Sequence, residues 1–121
     1  MTTIESLIGT WNLTTLDGAS VADMLGPDMK APNLEFAEDG RVSGFAGVNR
    51  VMSSVDLGAL KRGEFALSPA ATTMMAGPEA AMDLEQKFLS ALHRATGIRI
   101  DGNRLDLTDA GASVLSFARG S

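Results

Sequence analysis

Three short stretches carry the residue types that chemistry needs. The first is SGFAGVNR, residues 43–50, where Gly44 and Gly47 interrupt a strand-like run and Asn49-Arg50 comes next. An arginine at the mouth of a cleft can clamp a carboxylate or phosphate with its planar fork. The second is ATTMM, residues 71–75, with the hydroxyls of Thr72 and Thr73. The third is Glu85, which at about 100° per residue falls on the edge of an apolar helical stripe. A carboxylate there is costly unless it is paired or hydrogen-bonded. The spacing predicts that Glu85 accepts hydrogen bonds from the 47–50 turn or from Thr72 or Thr73. A general base with a raised pKa is the sharper chemical alternative. Asn49, Arg50, Thr73 and Glu85 are therefore the candidate binding or structural polar network.

Each of these residues also has a plainer reading. Gly44 can mark the flush approach of a helix or a neighbouring strand. Asn49 suits a turn, and Arg50 suits a partly buried pair with an internal acid. His93, the only histidine, falls near a polar helix face with no cysteine partner, no second histidine and no Ser-Asp constellation visible in the sequence, as a solvated residue would. Met74, Met75 and Met82 could make a soft-metal or adaptable surface, and core filling explains them more simply. DGNRLDLTD resembles a calcium loop, yet Leu105 stands where an oxygen ligand is needed, so two hairpin turns fit better. Asn12-Leu13-Thr14 is a formal glycosylation sequon, which matters only on a secretory route. No catalytic set, metal site or cofactor is expected.

The elements that must position these residues are set by length and pattern. At 121 residues the chain is expected to form one domain, 1–121, burying roughly two-thirds of its unfolded surface. Hydrophobic residues make up 45% and charged residues 21%, a globular balance that excludes the disordered class. The net charge is −5 and the cations are scattered, with Lys61-Arg62 the only adjacent Lys/Arg pair. Nucleic acid needs several cations on one face, so it is not an expected partner, and an acidic monomer is. The chain has no cysteine, which removes disulfides and thiolate chemistry. No apolar run approaches a membrane span. The opening MTTIESL lacks a signal-peptide pattern, so the expectation is cytoplasmic residence, or periplasm or envelope had a leader been removed.

GTWNLTTLDG reads as a first strand, with Trp11, Leu13 and Thr15 on one side and Leu16 on the other, ended by Asp17-Gly18. Residues 19–32 read as a loop with a helical turn at 21–25. NLEF, AEDG and RVSGFAG make a hairpin, and NRVMSSVDL continues as a strand. GALKRG reads as a connection, and two short extended runs are split by Pro69. Residues 78–96 form the main helix. Pro78 stands at the first helical residue and Gly97 at the C-terminal cap, with Ala81, Leu84, Phe88, Leu92 and Ala95 on the apolar stripe. IRI-DGN-RLDL and SVLSF close the chain as strands joined by tight turns. The fold class is α+β: a curved, mostly antiparallel, barrel-like sheet of six to eight strands against one helix.

In this order, LIGTWNL, LEFAEDGRVSGFAGVNR, ATTMMAGPEAAMDLEQKFLSAL and GNRLDLTDAGASVLSF resemble the META domain family, with its HslJ-like heat-shock members, from about Leu7 to Phe117. The resemblance makes Gly9, Trp11, Gly44, Gly47, Pro78 and Phe88 structural motif positions. Val48 and Gly77 stand where the family usually has cysteine, which makes sense if the two positions are neighbours. The resemblance implies a non-catalytic bacterial protein, stress-associated or a protein-interaction module, with a protein partner of unknown kind. GTW also resembles the Gly-x-Trp of lipocalin-like barrels, so a small apolar ligand carrier is the alternative. A hydrolase using Glu85, Asn49 and Arg50 is the third reading.

Overall fold

The computed structural model describes residues 4–27 and 29–120. The helix α1 spans Ile4–Leu7 and the strand β1 Gly9–Leu16. The short β2 is Ala19–Ser20, succeeded by a 3-10 turn at Val21–Met24. Then come β3 (Asn33–Phe36), β4 (Arg41–Phe45), β5 (Arg50–Ser54), α2 (Leu57–Lys61) and β6 (Ala71–Thr72). The main helix α3 is Glu79–Arg94. The chain closes with β7 (Gly97–Asp101), β8 (Arg104–Asp109) and β9 (Ala112–Arg119). The strands form one nine-stranded sheet in the order β6-β5-β4-β3-β1-β9-β8-β7, with β2 on β1. All of these pairings are antiparallel. The count exceeds six to eight because β2 and β6 are only 2 residues each.

The fold is the expected α+β arrangement of an antiparallel sheet against one main helix, and the sheet is not closed into a barrel. The outermost strands, β6 and β7, do not pair with each other. The intervening chain crosses the gap only through isolated bridges, Val55 with Leu67 and Glu64 with Gly97. Gly63, at φ +76°, turns the chain there, and Pro69 lacks the N–H that a continuous ladder needs.

Helix α3 fills the concave side. Ala81, Leu84, Phe88, Ala91 and Leu92 are buried, and Phe88 meets Phe117 edge-on with ring centroids 6.3 Å apart. The stripe is the expected one, widened by Ala91. Its C-terminus differs from expectation. The cap is Ala95, and Gly97 is already the first residue of β7. Gly97 is small for another reason, since a Cβ there would lie 2.5 Å from Thr108 Oγ1. Arg94 Nη2 donates to both carboxylate oxygens of Asp17, at 3.1 and 3.0 Å, and joins the helix end to the β1–β2 turn; as an exposed pair it is worth about 1 kcal/mol or less.

In β1, Trp11, Leu13 and Leu16 are all buried. The register against β9 shifts between Leu13 and Thr15. A bulge inserts a residue and re-aims the rest of the strand, so Leu16 faces the core and strict alternation fails. GALKRG is not a plain connection either. Residues 57–61 form α2, whose N-cap Asp56 accepts from the Gly58 and Ala59 N–H groups.

At one end of the sheet, Trp11 is fully buried and its Nε1 donates to the Leu7 carbonyl at 2.8 Å. Arg119 stacks 4.2 Å from the Trp11 ring centroid and donates to the Ser6 and Ile8 carbonyls at 2.7 and 3.1 Å. The carbonyls that a helix end leaves unsatisfied are thus capped by side chains of β1 and β9. Gly9, at φ +120°, makes the turn between α1 and β1.

The hairpin turns use left-handed residues. Asp17 and Gly18 have φ of 49° and 84°, and Ala110 and Gly111 have φ of 52° and 84°. Two positive φ values in sequence match the twist of a two-residue hairpin. Alanine bears a steric cost in that conformation that asparagine largely avoids. Replacing Ala110 by Asn is expected to stabilise the fold by about 0.5–1 kcal/mol; a higher urea midpoint at unchanged slope is the readout.

Candidate functional site

The β4–β5 loop, residues 46–49, lies against the first turns of α3. Gly47, at φ +136°, sits so close that a Cβ there would lie 3.0 Å from the Ala81 carbonyl oxygen and 3.2 Å from Glu85 Cβ. Gly47, then, and not Gly44, lets the chain approach the helix. Gly44 serves the neighbouring strand: a Cβ would run into the Asn33 carbonyl and lie 3.1 Å from Leu34 Cα.

This close approach delivers donors to Glu85. The Val48 and Asn49 N–H groups donate to Oε1 at 3.0 and 2.6 Å. Asn49 Nδ2 donates to Oε2 at 2.8 Å and to the Met75 carbonyl at 3.1 Å. Asn49 Oδ1 accepts from Met75 N–H at 2.7 Å and from Thr73 Oγ1 at 2.9 Å. Thr73 Oγ1 in turn accepts from Arg50 N–H at 3.0 Å. The Asn49 amide thereby uses both donors and both acceptor sites. It is 4% exposed and Glu85 6%.

Asn49, Thr73 and Glu85 are brought together, whereas Arg50 joins only through its backbone. Its side chain is exposed and makes no ion pair among the described residues, contrary to the expected partly buried pair. Thr72 and Thr73 do not reach Glu85; Thr73 acts through Asn49.

Burial pushes the Glu85 pKa up, but the Asn49 side chain and the Asn49 and Val48 N–H groups outweigh it and hold the carboxyl below the usual glutamate value. That direction is opposite to the raised pKa of a general base.

The remaining candidates lie apart. His93 is exposed, with Nδ1 2.8 Å from its own helix's Leu89 carbonyl. Met74 and Met75 are 93% and 57% exposed, so core filling is wrong for both. They sit in the linker between β6 and α3, where no period constrains them. Asp101 and Arg104 flank the tight turn between β7 and β8. Among the described residues no His/Cys/Asp/Glu group could hold a metal ion, and no helix is long and apolar enough to cross a membrane.

The two positions Val48 and Gly77 are neighbours. A Cβ on Gly77 would lie 2.8 Å from Val48 Cγ2 and 3.5 Å from Val48 Cβ. The valine methyls occupy the space that the glycine leaves.

Two clefts have linings that leave out Asn49, Thr73 and Glu85. One of about 900 Å³ is lined by Lys61 and Arg62 at the end of α2 and by Arg99, Ile100, Arg104 and Asp106 of the β7–β8 hairpin. The other, about 520 Å³, crosses the solvent face of the sheet at Asn12, Asn33, Phe45 and Arg50.

Residues 5–121 match the META domain. No curated protein matches this chain. Three solved structures are similar in fold. One, described only as an NMR structure of a protein, has a TM-score of 0.71 at 22% identity, covering 98% of this chain and 96% of its own. A protein from Burkholderia xenovorans has a TM-score of 0.67 at 24% identity, covering 98% and 86%. A DUF4847 family protein from Bacteroides vulgatus ATCC 8482 has a TM-score of 0.58 at 18% identity, covering 93% and 92%.

The geometry of the network and of its neighbouring pair can be tested by substitution. Glu85→Gln places an amide N–H₂ against donors and is expected to cost about 1–3 kcal/mol at neutral pH. The folded carboxyl binds its proton more weakly than an unfolded glutamate, so its contribution is complete above the unfolded pKa and is lost as pH falls through the folded one. The gap between wild type and variant in denaturant titrations is therefore expected to narrow below about pH 4. At the second place, the Cβ separation between 48 and 77 suits a disulfide. The double variant Val48→Cys/Gly77→Cys is expected to oxidise in air, lose both free thiols, and gain about 3–4 kcal/mol over its reduced form.

Proposed function

The chain belongs to the META domain family, and from that premise we propose that it is a non-catalytic, stress-associated interaction module. It engages a protein partner through the linker between β6 and α3. One observation carries this reading. Asn49 holds both the N–H and the C=O of Met75, while the Met74 and Met75 side chains stand in solvent. The polar network is turned inward and satisfied, and what it presents outward is apolar. Methionine is flexible and polarisable and adapts to varied partner surfaces, and it is enriched at interfaces. Met52, 54% exposed on the adjoining strand β5, adds to the same end of the molecule.

The other readings ask for different features. A closed-barrel carrier needs interior volume, and here Phe88, Phe117, Leu105 and Leu115 occupy that side without exposure above 1%. A hydrolase using Glu85 needs a carboxylate with free lone pairs and a raised proton affinity, and both oxygens of Glu85 are engaged.

Photo-crosslinking in heat-stressed cells tests the proposal. A photoreactive residue at Met74 is expected to give a discrete protein adduct that is lost with Met75→Glu, while the same probe at Glu38 in the β3–β4 turn gives none. Equal adducts from both positions would remove the linker as the contact surface.

A further inference from the structure

Four of the five phenylalanines lie in the core, Phe36, Phe65, Phe88 and Phe117. Phe45 does not. It is half-buried on the opposite face of the sheet and is not packed against the core cluster. The register explains its surroundings. Asn12 pairs with Asn33, Asn33 with Phe45, and Phe45 with Arg50. The next residues along these strands, Trp11, Leu34, Gly44 and Val51, are buried, so all four side chains of the row point away from the core. They form one transverse line across β1, β3, β4 and β5, with direct neighbours about 4.5–5.5 Å apart.

This line is the floor of the cleft of about 520 Å³, and Lys30 and Ala31 complete its lining. No acid lines it, in a chain of net charge −5. Neither Lys30 nor Arg50 forms an ion pair among the described residues. The side-chain amides of Asn12 and Asn33 carry no internal hydrogen bond among the described residues either. The next outward acid on this face is Glu35, two residues along β3, in the row of Thr10, Ser43 and Met52. A cleft lined by uncommitted cations and amides beside one ring concentrates anions locally even on an acidic protein.

We propose that this row binds a small aromatic carboxylate, its ring against Phe45 and its carboxylate between Arg50 and Lys30. Arginine matches a carboxylate with its planar fork and lysine adds a point charge. The two asparagines offer both donors and acceptors to polar ring substituents. An aromatic ring offset on Phe45 adds a contact that a saturated ring of equal charge does not reproduce. The site is open, so a minimal ligand binds weakly, with Kd about 1 mM. This assignment goes beyond the interaction reading and uses none of the residues that carry it.

The test is a two-dimensional amide NMR titration of the intact chain with sodium benzoate, cyclohexanecarboxylate and inorganic phosphate. Benzoate is expected to shift the side-chain amides of Asn12 and Asn33 and the backbone around Phe45 and Arg50, with a saturable curve and an apparent Kd of about 1 mM. Cyclohexanecarboxylate is expected to bind about fivefold more weakly. Arg50→Gln, at an exposed position, and Phe45→Ala are each expected to weaken benzoate by about five- to tenfold with the rest of the spectrum unchanged. If Phe45→Ala perturbs the whole spectrum, Arg50→Gln and the saturated acid still decide the matter. Three results would each overturn the proposal: no saturable shift, equal binding by the saturated acid or by phosphate, or undiminished binding to Arg50→Gln.

Discussion

A carboxylate that is 6% exposed on the inner side of a helix stays ionised only if donors meet it; without them it is costly or takes up a proton. In this protein the donors come from outside the helix. They belong to the tip of a hairpin, residues 48 and 49, and arrive because Gly47 removes the side chain that would hold the hairpin off. The Asn49 amide then turns from Glu85 to Met75 and Thr73. One buried acid thereby fixes the relative placement of the β4–β5 loop, the chain leaving β6 and the start of α3. The apolar stripe of α3 fills the concave side, and the Glu85 bonds fix where the hairpin tip meets the first turns of the helix.

Much of this is legible in the residues. Glu85 at the edge of an apolar stripe carries its own requirement for partners, and the turn with Asn49 is the near source of them. Hairpins announced by Asp-Gly turns lie where the pattern puts them, and the main helix ends within two residues of expectation at each side. Errors cluster where an element is too short for a period. The helix α2 is 5 residues long, and only Asp56 before it and Gly63 beyond it mark its ends. The bulge after Leu13 defeats strict alternation, because one inserted residue exchanges the faces of everything after it. Hydrophobicity alone assigns Met74 and Met75 to the core, yet linker residues answer to no stripe. The role of Arg119 is invisible in the sequence, since nothing local shows that it will lie over Trp11 from the far end of the chain. The solvent-face row of Asn12, Asn33, Phe45 and Arg50 likewise exists only once the register is known.

The contact of Val48 with Gly77 shows how two positions can be exchanged as a unit. The glycine has room for nothing larger while the valine is present. A single substitution at either place meets a clash or leaves a void, whereas a complementary pair of changes does neither. Close packing and covalent linkage are two solutions to the same short separation between the β4–β5 loop and the chain entering α3.

The position of β9 bears on how the molecule is assembled. It lies between β1 and β8, so the half of the sheet built from β1 to β6 and the hairpin of β7 and β8 share ladder bonds only through it, the small bridge at Glu64 and Gly97 aside. Synthesis delivers the keystone after the stones on either side. Until residues 112–119 pair, the facing edges of β1 and β8 have no ladder partner, and joining them closes a loop that runs back to β1. Pairings this distant in sequence slow folding, and until they form, the facing edges of β1 and β8 carry unpaired N–H and C=O groups to which another strand can add.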